Sequence, residues 1–193
     1  MSTISGAGDK TATTVSALIY NLLKHPRTLE KLRSEVEEAK PSSPPSFAEV
    51  NKLPYLGAVI KESMRVYSTP NWPMERKVPA GGAMICGKFF AEGTSVGCLP
   101  SAVHFNPGTF GEDAETFRPE RWLEADEDEL RAMEAAHLGF SRGRRVCLGQ
   151  HIAIMQMKKL IPTLVTGFQV SPKVFQPVNA FVSSCLPQEF AMC

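Results

Sequence analysis

The chain has almost no excess of charge of either sign: 21 Lys and Arg stand against 20 Asp and Glu in 193 residues, a formal net charge of +1. That excludes the basic stripe on which nucleic-acid binding depends and any polybasic membrane patch. It also lacks an unbroken run of about eighteen apolar residues, so no transmembrane helix is written in it, and Met1-Ser2-Thr3-Ile4 does not open a secretory leader. Histidines number only four, and the five cysteines (Cys86, Cys98, Cys147, Cys185 and Cys193) are scattered without a C-x-x-C pair, so no zinc spacing is present. The odd count and the scatter point away from a disulfide framework and towards a reducing compartment. There is no internal repeat and no low-complexity segment.

What is present is the pattern of one mostly helical unit with a small sheet. Val15, Leu18, Ile19, Leu22 and Leu23 recur at helical spacing and predict an amphipathic helix over about residues 10–24. Pro26 ends it and opens a second, heavily charged helix running to about Ala39, with Leu29, Leu32 and Val36 facing inward. Pro41–Pro45 reads as a linker. Ser46-Phe47-Ala48-Glu49 has the form of a capping box, and Pro54 begins a helix reaching about Tyr67. From Pro73 to Val103, Gly81-Gly82, Gly87 and Gly93 punctuate short apolar runs, which predicts a small antiparallel sheet. Residues 105–125 read as irregular, Glu124–Glu134 as a solvated acidic helix face, Leu148–Gly167 as a long helix, and Phe168–Cys193 as strand and coil.

The most informative stretch is Phe140-Ser141-Arg142-Gly143-Arg144-Arg145-Val146-Cys147-Leu148-Gly149. Cys147 alone would read as an inert buried thiol beside a helix start. With Phe140, Gly143, Arg145, Cys147 and Gly149 as fixed points, however, the decapeptide resembles the haem-binding loop of the haem-thiolate monooxygenases, the cytochromes P-450. The resemblance implies Cys147 as the axial thiolate of a haem b, since a proximal thiolate favours O–O cleavage. A thiol must be held as the anion to do this, and the N-terminus of the helix after Cys147 would favour negative charge there. Gly143 would permit the tight turn, Gly149 a close backbone approach, Arg145 would pair with a haem propionate, and Phe140 would pack against the proximal face.

Two further signals gain meaning from that resemblance. Glu62-Ser63-Met64-Arg65 puts an acid and an arginine on one helix face, a spacing that Glu30/Arg33 and Glu115/Arg118 share. Here the surroundings from Tyr55 onward are apolar, and Phe117-Arg118-Pro119-Glu120-Arg121-Trp122 follows past the sheet. The family pattern implies a buried structural network of Glu62, Arg65 and Arg121, tolerable only if every polar group in it is satisfied. Gly6-Ala7-Gly8-Asp9-Lys10-Thr11 lies where relatives carry the oxygen-binding turn of the central helix. Asp9 and Thr11 match and are the candidates for proton delivery. Ala7 stands where a glycine belongs and Lys10 where the first threonine belongs, and Thr11, about 100° round the helix, does not replace that hydroxyl. Asp9 reads equally as a helix cap or first-turn acid. Arg76 is either a second propionate partner or an exposed strand residue, and His104 and His151 read as satisfied structural histidines.

The resemblance runs from Gly6 to about Phe168 and covers the C-terminal, smaller part of such a protein, so the whole chain, residues 1–193, is expected to be a single partial domain of that fold, incomplete. It implies a monooxygenase that inserts one atom of O₂ into an apolar small molecule with electrons from a nicotinamide-dependent reductase. The wording of Leu22-Leu23-Lys24-His25-Pro26 and Phe110-Gly111-Glu112-Asp113-Ala114 is similar to filamentous-fungal members, many of which tailor secondary metabolites. Relatives are anchored in the endoplasmic-reticulum membrane, and no anchor is seen here. Two alternatives stand beside the enzyme: an inactive remnant or gene fragment, and a half-enzyme completed by a separate N-terminal chain.

Overall fold

The computed structural model describes residues 3–69 and 71–168. The expected strand and coil at the C-terminus, like Cys185 and Cys193, falls outside the described residues beyond Phe168.

Prolines and caps set the early boundaries. The first helix, α1 (Thr3–Lys24), is followed by α2 (Pro26–Ala39), with Pro26 at its first position, where an N–H is not needed. Lys40 closes α2 in the left-handed region, φ 45°, its N–H donating to Val36 O at 3.1 Å. In α3 (Phe47–Val50) the capping box forms: the Ser46 hydroxyl accepts from Glu49 N and the Glu49 carboxylate from Ser46 N at 2.8 Å. These bonds to Ser46 and then Ser42 hold the Glu49 pKa down at about 2. α4 (Pro54–Val66) again opens on proline.

α4 is buried almost throughout because it separates two apolar clusters. On one side Leu56, Val59 and Ile60 join Leu18 and Leu22 of α1, Leu32 and Val36 of α2, and Met157, Ile161 and Val165 of α9 (Gln150–Gly167). On the other, Ala58 meets Phe110, Ala114, Trp122 and Met133. An apolar sequence on every face of the helix is what such a position requires.

Several expectations are corrected. α1 starts seven residues before residue 10. Gly6 and Gly8 each cost a helix about 1 kcal/mol, and the apolar repeat begins only at Val15, so sequence periodicity does not reach the true start. Asp9 is therefore well inside the helix, not a cap or first-turn acid. The small sheet is two separate antiparallel pairs: β1 (Arg76–Lys77) with β4 (Ser95–Val96), and β2 (Ala83–Ile85) with β3 (Lys88–Phe90). The second is a hairpin whose two turn residues, Cys86 (φ 49°) and Gly87 (φ 74°), both take the left-handed conformation that a tight hairpin with twisted strands demands.

The sheet region also ends earlier than Val103, in α5 (Pro100–His104). Residues 105–125 hold two one-turn helices, α6 (Pro107–Phe110), capped by the Asn106 side chain, and α7 (Arg121–Glu124). Such short helices carry no periodicity to read. The acidic helix, α8 (Glu127–Ala136), is displaced towards the C-terminus by the Asp126/Glu129 capping box. Among the described residues no helix is long and apolar enough to cross a membrane.

Candidate functional site

The site grows from α4 outward. Glu62 and Arg65 are fully buried there and Arg121, at the start of α7, is 3% exposed. Arg65 Nε and Nη2 grip the two carboxylate oxygens of Glu62 at 2.9 and 2.8 Å, and Arg121 Nε donates to Glu62 Oε1 at 3.0 Å. Glu62 also accepts the Arg118 amide and the indole N–H of Trp122, each at 2.9 Å.

All but one of the remaining guanidinium donors go to backbone carbonyls from the end of α5 to the segment before α7, the exception being the Asp113 carboxylate. Arg65 reaches His104 O at 2.7 Å, Ala114 O at 2.5 Å and Thr116 O at 3.1 Å. Arg121 reaches Phe110 O, Asp113 O, Thr116 O and Asp113 Oδ1. All five donors of each arginine are thereby used, which is the condition for burying such charges without a large penalty.

Burial pushes the Glu62 pKa up, but the Arg65 hydrogen bond and charge, the Arg118 amide and Arg121 outweigh it and leave the carboxyl below its ordinary value. Asp113, which is less buried and bonded to Arg118 and Arg121, is shifted in the same direction for the same reasons. Trp122, Asp113 and the carbonyls of Ala114 and Thr116 had no signal in the sequence beyond their nearness to Arg121.

The loop after α8 departs from this network. Cys147 N donates to Phe140 O at 2.9 Å and Ser141 N to Leu138 O at 2.9 Å, folding 140–147 back on itself. Phe140 is half-buried against the larger core cluster. Gly143 has φ +70°, a conformation other residues resist, and opens a single 3₁₀ turn, Gly143–Arg145. Cys147 is exposed beyond that turn. α9 begins at Gln150 with Gly149 as its N-cap, two residues after the expected start at Leu148; a methyl group on Gly149 would sit 4.0 Å from Cys147 Sγ, an ordinary contact.

Beside the loop lies an open cavity of about 530 Å³, walled by residues 72–76 together with Ser141 and Arg145. Arg76 and Arg145, far apart in sequence, thus share one concavity. Arg76 is an exposed strand residue whose Nη1 donates to Glu75 O at 2.7 Å, and neither arginine has an ion-pair partner among the described residues. Lys10 reaches the same wall from α1, its Nζ 4.8 Å from the centroid of the Trp72 ring.

Asp9 is exposed and Thr11 half-buried on α1. The hydroxyls of the next two threonines turn back onto their own helix, Thr13 to Asp9 O at 2.8 Å and Thr14 to Lys10 O at 2.9 Å. His104 is fully buried and doubly bonded, whereas His151 is exposed, so the second is not a packed structural histidine. Among the described residues no three His, Cys, Asp or Glu side chains gather as a metal-binding group.

Comparison with known proteins places this geometry. The sequence model of the family Cytochrome P450 matches residues 1–189, and the chain belongs to that family. It is 43% identical to a cytochrome P450 monooxygenase of Aspergillus terreus over 174 residues, 88% of this chain and 35% of that protein. It is 43% identical to the cytochrome P450 monooxygenase pkfB of Emericella nidulans over 183 residues, 92% of this chain and 36% of that protein. Pisatin demethylase of Fusarium vanettenii is 43% identical over 166 residues, 86% of this chain and 32% of that protein. The chain thus spans about a third of the length of the curated relatives it matches. Membership of the family implies haem with a cysteine thiolate, O₂, a redox partner and a substrate.

Proposed function

We propose that the chain is the cysteine-bearing part of a cytochrome P450 monooxygenase, in which Cys147 would hold haem b through its thiolate and Arg145 and Arg76 would hold its propionates. When bound, the haem supplies O₂ activation, which the thiolate promotes by donating electron density to iron. The chain's own residues do the rest. The turn at Gly143 and the Phe140–Cys147 bond hold the sulfur outward, and the N-terminus of α9 favours its anionic form. Phe140 and Gly149 would border the bound group.

The Glu62–Arg65–Arg121 network holds the α5–α7 segment in place. Asp9 and Thr11 on α1 would be the residues that hold protons for the chemistry of that group, with Lys10 in place of the usual hydroxyl. Electrons come from a nicotinamide-dependent reductase, and one oxygen atom enters an apolar small molecule. The fungal sources of the relatives support a role in secondary metabolism.

The observation that carries this reading is the loop with its cavity. An exposed thiol and an arginine without an acidic partner among the described residues come from one short segment, beside a concavity of about 530 Å³, a size suited to a bound small molecule. A second arginine, Arg76, lines the same concavity. The test is the absorption spectrum of the haem-loaded, reduced, CO-saturated chain. The red-shifted Soret band of thiolate ligation is expected, retained in Cys98→Ser and lost in Cys147→Ser. An identical band in Cys147→Ser overturns the assignment.

A further inference from the structure

His104 takes no part in the function proposed above, yet it sits between the buried network and the Cys147 loop. Its imidazole is fully buried. Leu138 N–H donates to Nε2 at 2.8 Å, so Nε2 carries the lone pair and the ring proton is on Nδ1, which faces Ser68 Oγ at 2.7 Å and Arg65 O at 3.0 Å. The guanidinium of Arg65 returns the contact, donating to His104 O at 2.7 Å.

Leu138, two residues past the end of α8, is where the loop towards Cys147 sets out. Its neighbour His137 stacks on His104, ring centroids 5.3 Å apart, and donates from Nε2 to Lys61 O at 3.2 Å. Gly139 on the other side lies so close to α4 that a methyl group there would be 2.6 Å from Met64 Cε. Leu138 O then accepts from Ser141 N, and Phe140 O from Cys147 N, so the clamp at Leu138 is passed on by backbone bonds to Cys147.

We propose that His104 is a positioning residue for Cys147: neutral, it ties Leu138 to α5 and, through Nδ1 and Arg65 O, to α4, and fixes the direction in which the loop sets out; protonated, it releases the tie to Leu138. A second proton on the ring would place Nε2–H against the Leu138 N–H, donor facing donor. The groups that face the ring are Glu62 and Arg65 on α4 and His137 after α8; Phe110 on α6 meets it edge-on and is uncharged. Burial above all, then His137, disfavours the proton and keeps the ring neutral down to a pH of about 4.

The inference rests on Cys147 being the ligand, but its experiment involves no haem. The chain labelled with ¹⁵N-histidine reports the His104 tautomer and titration, hydrogen exchange reports the Leu138 amide, and alkylation mapped by peptide mass reports Cys147. His104→Gln offers an oxygen to Leu138 N–H and does not titrate; His104→Leu offers nothing.

At neutral pH, His104→Leu is expected to lower Leu138 protection about tenfold, the worth of one hydrogen bond, and to raise Cys147 alkylation severalfold, with the α9 core amides of Met157 and Ile161 unchanged. His104→Gln is expected to behave like the parent at neutral pH and to lose the parent's fall in Leu138 protection as pH drops through about 4. Parent-like Leu138 protection in His104→Leu, an equal loss at Met157 and Ile161, or an Nε2–H tautomer in the parent overturns the proposal. If His104→Leu does not fold, the tautomer and the His104→Gln titration decide it. An absent thiolate spectrum would leave this result standing, so the two readings fail separately.

Discussion

Glu62 Oε2 accepts the indole N–H of Trp122 at 2.9 Å, across 60 positions of sequence. The ring thereby does two things at once: its body fills the smaller apolar cluster with Phe110 and Met133, and its polar edge completes the coordination of a buried carboxylate. A phenylalanine can do the first and not the second.

Trp122→Phe therefore isolates that one donor. It should lower stability by about 1.5–3 kcal/mol, the usual worth of a hydrogen bond to a charged group. Urea denaturation should show a lower midpoint with an unchanged slope. Arg65→Lys should cost more, about 3–5 kcal/mol, because it strips several buried acceptors of their partner and leaves Glu62 underpaired. A parent-like midpoint for Trp122→Phe would mean that Glu62 does not need the indole.

Acid should unfold the protein in two stages. His104 and His137 both have pKa values held below the ordinary 6.5, chiefly by burial, and His104 titrates at about 4. The unfolded chain takes up these protons first as pH falls, so stability drops from pH 6.5 downward. Glu62 and Asp113 are lowered below their ordinary 4.5 and 3.8, so their contribution is present above those values and is lost as pH falls through the folded ones. Each group contributes at most about 1.4 kcal/mol per pH unit. Urea midpoints from pH 7.5 to 3 should show the first decline before any carboxylate titrates, and Asp113→Asn should flatten only the second.

Local chemistry made α2, α3 and α4 readable: Pro26, the Ser46/Glu49 box and Pro54 act within a turn of themselves. The start of α1 was not, because Gly6 and Gly8 weaken the local helix signal and the apolar repeat begins only at Val15. Nor were α5 to α7, each too short for a period. At the site, the spacing of Glu62 and Arg65 was legible, but the acceptors that make their burial tolerable are mostly main-chain oxygens, which carry no residue signature. The convergence of Arg76 with Arg145 depends on how β1 lies against the loop, and His104 drew notice only as a satisfied histidine because its partner is the amide of Leu138.

Two glycines of the loop should fail for different reasons when made alanine. At Gly139 the new methyl meets Met64 Cε at 2.6 Å and His137 Cε1 at 2.8 Å, an overpacking worth about 1–3 kcal/mol. At Gly143 nothing lies within 4 Å, and the cost is that of φ +70° alone, about 1–2 kcal/mol. A double-mutant cycle with Met64→Ala separates them. Coupling is expected for Gly139→Ala, because truncating Met64 opens the space, and none for Gly143→Ala. Coupling in both, or in neither, would contradict the packing described.

The shared cavity of Arg76 and Arg145 makes a quantitative statement about haem binding. Each guanidinium that pairs with a propionate forms a charge-assisted bond worth about 1.5–3 kcal/mol, so Arg145→Ala and Arg76→Ala should each weaken haem binding roughly tenfold to a hundredfold in absorbance titrations of the haem-free chain. Glu75 stands on the same wall with a charge of the wrong sign for a propionate, so Glu75→Gln should tighten binding. If the two arginines hold separate carboxylates, the double variant loses the product of the single effects. If they grip one carboxylate together, it loses less, because either single substitution already slackens the grip. Unchanged affinity in both single variants would detach the cavity from the haem altogether and leave Cys147 as the loop's sole contribution to the bound group.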